Sequence, residues 1–113
     1  MQFMILILNK VECMPTILCR LLEAGIKGAT TTDCQGGLSL LSESSIEPPP
    51  IFGSLRRYLN PEHKHTKMLM LVLPSEQILI ARDIINDAVG GLENPDTGIL
   101  FTLPVMHVEG LAN

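Results

Sequence analysis

Aromatic side chains are scarce in this chain of 113 residues: three Phe, one Tyr and no Trp, 4% in all. Any core must therefore be aliphatic, built from Leu, Ile, Val and Met. Basic charge is scarce as well. Eight Lys and Arg face twelve Asp and Glu, for a formal net charge of −4 and a pI near 5.2. A nucleic-acid binder needs a basic face to neutralise phosphates, and here the cations are scattered, with Arg56-Arg57 the one basic pair. Nucleic acid is not expected as a partner. Cys13, Cys19 and Cys34 are odd in number and lack CxxC spacing, which argues against a disulfide framework or a structural zinc site. They read as buried, reduced cysteines of a cytosolic protein. The apolar run "FMILIL" at residues 3–8 is far shorter than the ~20 residues a membrane helix needs and has no basic flank before it. The expectation is a cytoplasmic protein that is not embedded in a membrane. Catalytic signatures are lacking too: there is no G-x-S-x-G elbow and no Walker lysine. The chain reads as no enzyme.

What the chain does have is apolar surface. Hydrophobic residues make up 46% and mean hydropathy is +0.31, yet a body of this size buries only ~65% of its unfolded surface alone. The surplus points to a second face buried in an oligomer. Phe3–Leu8 is a continuous apolar run of strand length, suited to a central strand. Met14, Ile17, Leu18, Leu21 and Leu22 then recur at helical spacing, with Pro15 in the first turn and Gly25 at the left-handed stop. "GATTTDC", Gly28–Cys34, is β-branched and bounded by glycine, a second strand. "KMLMLVLP", Lys67–Pro74, is a third, apolar on both faces. From Ser75 a second helix carries Ile78, Ala81, Ile85, Ala88 and Val89 as its stripe and ends at Gly90-Gly91. "GILFTLPV", Gly98–Val105, is a fourth strand, followed by the short tail "MHVEGLAN".

The order is β-α-β, a long connection, then β-α-β. This is the ferredoxin-like plan: an α+β sandwich with a four-stranded antiparallel sheet and two helices on one face. The other face of such a sheet is uncovered, and here its strands are apolar on both sides. An uncovered apolar sheet meets another subunit or invites aggregation, so the pattern predicts an oligomer formed through the sheet.

The connection, about residues 36–66, is far longer than the ~12–15 residues of an ordinary loop. It opens on Gly36-Gly37, contains "EPPP", a stiff spacer, and ends among mixed charges. Within it Ile51, Leu55 and Leu59 are spaced as one apolar helical face. Two readings of Ile51–Leu59 compete. It is an amphipathic helix docked on its own domain, or a partner-binding element presenting Arg56 and Arg57, with Ile51, Phe52 and Tyr58 beside them.

Three stretches resemble the PII signal-transduction proteins, the nitrogen-regulatory superfamily. "LLEAGIKGATTTDCQGG" is similar to that family's first-helix, second-strand segment, through Gly25, Ile26, Gly28, Thr30 and Gly36. "KMLMLVLP" resembles the strand after its long loop. "DTGILFTLPV" resembles the strand after its phosphate-gripping loop, with Gly98 as the last glycine of that loop and Phe101 a core aromatic. The resemblance covers nearly the whole chain outside the long connection. It implies a non-catalytic homotrimer of ferredoxin-like subunits that binds an adenine nucleotide, ATP, ADP or AMP, in clefts between neighbours. It also implies that the long loop passes the ligand state to a membrane transporter or a metabolic enzyme. The cleft residues carried over are Thr30, Gly36, Gly37, Val72, Thr97 and Gly98, the glycines permitting close backbone approach and Val72 packing on a base.

The chain departs from the family where phosphate would be held. The turn "NPDTGIL" keeps only Gly98, has Ile99 where the family has lysine and adds Asp96, and the tail has no arginine. Each missing charged hydrogen bond costs ~1.5–3 kcal/mol. Arg56, Arg57, Lys64 or Lys67 could substitute from the connection. "PDTG" reads first as a plain turn leading into a strand and second as a phosphate nest. The runner-up reading is a trimeric metal-responsive protein similar to the CutA proteins, using His63, His65 or His107. A small ferredoxin-like enzyme without a recognisable motif is a third.

Overall fold

The computed structural model describes residues 1–37, 40–41 and 65–111. The partner-loop residues Ile51, Phe52, Arg56, Arg57 and Tyr58, with His63 and Lys64, lie outside them. The elements are β1 (Gln2–Leu8), α1 (Met14–Glu23), β2 (Thr30–Cys34), β3 (Thr66–Leu73), α2 (Ile78–Ala88) and β4 (Gly98–Pro104). Short 3-10 turns at Val11–Cys13 and Ser75–Gln77 lead into the two helices. The strands form one antiparallel sheet in the order β2-β3-β1-β4. That order is compatible with the ferredoxin-like plan. The fully apolar run of β1 takes one of the two central positions, as its composition requires.

Residues of even number in β1 and odd number in β3 face the helices. Met4, Leu6 and Leu8 stand opposite Leu71, Leu69 and Lys67. The first five of these join Leu73 in one buried cluster with Met14, Ile17 and Leu21 of α1 and Ala81, Ile85 and Val89 beside them. Each buried Leu or Ile contributes about 1.5–3 kcal/mol relative to exposure. The predicted stripes thus pack into the core, Leu18, Ile78 and Ala88 as partly buried members at its margin, and only Leu22, 63% exposed, stands outside it. It lies about 100° round the helix from Leu21, past the flank that the sheet covers. An exposed ion pair, Arg20 Nη1 to Asp87 Oδ2 at 2.8 Å, joins α1 to α2 on the outside.

Both helices stop in the same way. Ile26 N–H donates to Leu21 O at 2.9 Å and Gly25 N–H to Leu22 O at 3.0 Å. At the end of α2, Gly91 N–H donates to Asn86 O at 2.9 Å and Gly90 N–H to Asp87 O at 3.2 Å. These are paired six-to-one and five-to-two bonds around a left-handed glycine, Gly25 at φ +81° and Gly90 at φ +78°. In the first, Ile26 and Leu21 are both buried, which supplies the apolar contact that accompanies the motif. β2 begins at Thr30 rather than Gly28. Gly28 adopts φ +81°, outside the extended range of a strand.

The cysteines differ from expectation. All three are free, but Cys19 is exposed and Cys13 and Cys34 are half-buried. Cys19 sits on the outer side of α1, where its thiol donates to Glu23 Oε1 one turn on, at 3.5 Å. That hydrogen bond, then the carboxylate's charge, raises the thiol's pKa.

Candidate functional site

The opposite face of the sheet carries Phe3, Ile5 and Ile7. The ladder aligns them with Val72, Met70 and Met68 on one side and with Leu103, Phe101 and Ile99 on the other. Directly opposed residues of an antiparallel ladder share a face. Nine large apolar side chains therefore stand in a three-by-three array. Ile99 is 57% exposed and Leu103 49%. Toward β2 the face becomes hydroxylic: Thr30 stands opposite Met70 and Thr32 opposite Met68. At its end Cys34 Sγ lies 2.9 Å from Thr66 Oγ1. No described helix covers this face.

The residues expected to form a ligand cleft fall into two groups, one on each side of the sheet. The group on the β2 side is itself spread along the strands, with Thr30 and Val72 toward one end and Gly36 and Gly37 past the other. Thr30 opposes Met70, and Val72 is the next residue along β3 with the same facing, so these two are diagonal neighbours on the open face. Gly36 and Gly37 follow β2 and are exposed. A Cβ at either would meet nothing within 4 Å, so neither is required by a close approach among the described residues. Gly98 lies at the other edge. It opens β4 opposite Leu8, which in turn opposes Lys67, which opposes Asp33. Gly98 is therefore at the same end of the sheet as Cys34, Gly36 and Gly37, three strand spacings away, about 14 Å at ~4.8 Å each. One chain does not bring the two groups together.

Thr97 and Gly98 have structural duties of their own. Thr97 is 1% exposed. Its carbonyl accepts the Asn9 N–H at 2.9 Å and the Lys10 N–H at 3.4 Å, and its hydroxyl donates to Pro95 O at 3.4 Å. A Cβ on Gly98 would lie 2.6 Å from Ile7 O. Part of the connection before it is tied down from within the chain. Leu92 N–H donates to Asn86 Oδ1 at 2.8 Å and Asn94 Nδ2 to Gly90 O at 2.7 Å, while Asn94 N–H donates to Gly91 O at 3.2 Å. Asp96 takes the left-handed conformation at φ +58°, which Asp tolerates. The Leu92 and Asn94 amides used this way are not available to a phosphate.

Sequence reasoning passed over Lys10. Its backbone N–H is directed at Thr97, and its ammonium donates to Val89 O at 3.3 Å, at the C-terminus of α2, where a cation is favoured. A cation thus stands beside the connection that leads from α2 into β4. Lys10 is one residue in an ordinary "NK" after β1, and only its place in space singles it out.

The two described histidines, His65 and His107, do not gather. His65 is exposed at the start of β3. His107 is exposed in the tail, with Nε2 3.2 Å from Glu109 Oε1. Among the described residues, no three His, Cys, Asp or Glu side chains are grouped to hold a metal ion, and no helix is long and apolar enough to cross a membrane.

No protein-family model matches this chain, and no curated protein is significantly similar to it.

Proposed function

We propose that this chain is a PII-like, non-catalytic regulatory protein. It assembles as a homotrimer, senses an adenine nucleotide in clefts between subunits and acts on a transporter or enzyme through the connection between β2 and β3. The carrying observation is the division of the candidate residues. Thr30, Val72, Gly36 and Gly37 belong to the β2 side of the sheet, and Gly98 belongs to the β4 edge at the same end. A site using both groups needs a second copy to supply one of them. The uncharged open face offers the surface on which copies would meet.

The phosphate contacts of this sensor differ from those of its proposed relatives. With Ile99 in place of lysine, Asp96 in the turn and the Leu92 and Asn94 amides engaged internally, charge compensation falls to cations from elsewhere, Lys10 among them. A nucleotide with fewer phosphates, such as AMP, suits that environment better than ATP.

Thermal melts of the purified protein against ATP, ADP, AMP, cyclic AMP and a divalent-metal panel test this reading. A ligand held at 100 times its Kd adds ~2.7 kcal/mol of stability, a shift readily seen. The expected result is a rise in Tm with one adenine nucleotide, AMP the largest. A rise with a metal alone, lost in His65→Ala or His107→Ala, would replace this reading by a metal-responsive one. No shift with any nucleotide would overturn the nucleotide-sensor assignment.

A further inference from the structure

We draw no further inference here: the strongest candidate, the open face of the sheet where Ile5, Ile7, Met68, Met70, Ile99 and Phe101 stand side by side, carries nothing beyond the self-association already proposed, because nothing in the structure shows what covers it.

Discussion

Gly98 shows how a residue that resembles a ligand contact can be required for another reason. Its missing side chain lets β4 open against β1, where a Cβ would lie 2.6 Å from Ile7 O and 3.3 Å from Leu8 Cα. Both obstacles are backbone and cannot swing aside. Gly98→Ala is expected to lower stability by about 1–3 kcal/mol, measured as a fall in the urea midpoint without ligand; an unchanged midpoint would mean that β4 moves aside freely. Loss of a nucleotide response in that variant would therefore say little about contact. Cys19 is a second residue-scale case. Glu23 raises its pKa by accepting the thiol's hydrogen bond and by its charge, and both effects favour the protonated form. Removing the charge lets the thiolate form at lower pH. Glu23→Gln should shift the pH profile of Cys19 alkylation downward, read by mass spectrometry of the modified peptide; a profile that stays in place would show that the contact does not persist in solution.

At the scale of elements, the helix ends illustrate how local chemistry shapes the fold. Gly25 and Gly90 take left-handed conformations that close paired hydrogen bonds and turn the chain back toward the sheet. An alanine in that conformation costs roughly 1–2 kcal/mol. Gly25→Ala is expected to lose that much in equilibrium denaturation, whereas Gly36→Ala, with open space around it, should change little. Equal losses at both sites would contradict the assignment of a left-handed cap to Gly25. These caps were legible because a glycine just past an apolar helical stripe is the residue best suited to the left-handed turn that ends a helix. The 3-10 turns before each helix were not, since Val11–Cys13 and Ser75–Gln77 carry no periodicity over three residues. Leu22 departs from its stripe for a related reason: spacing assigns a residue to a stripe, but the width of the covering surface decides whether its edge is buried.

For the whole molecule, the telling feature is a sheet that is apolar on both sides and covered by described helices on one. At micromolar concentration the protein is expected to sediment as a trimer. Ile5→Asp, which puts an unpaired carboxylate in the centre of the open face beside Met70 and Phe101, should yield monomer with the circular-dichroism spectrum of the parent. Charge buried without a partner is costly, so an interface there cannot tolerate it. A parent protein that is monomeric, or a variant that stays trimeric, would remove the basis for clefts between subunits on this face. The nucleotide melts then acquire a second meaning, because a response that survives in the monomer would locate the site within one chain.

The sequence by itself determined the four strands, the two α-helices Met14–Glu23 and Ile78–Ala88 and their order, and most of the residues that each helix buries. Alternation, helical periodicity and glycine caps act over a few residues and leave their mark in composition. It also made plain that both faces of β1 and β3 are apolar. Only the tertiary structure decided what depends on residues far apart in the chain. Thr97 became a buried acceptor for Asn9 and Lys10, Lys10 came to stand beside the α2–β4 turn, and the cleft candidates were divided between two sides of one sheet. Strand order and register arise from which faces bury best against one another, a property of the assembled sheet that no short stretch of sequence carries.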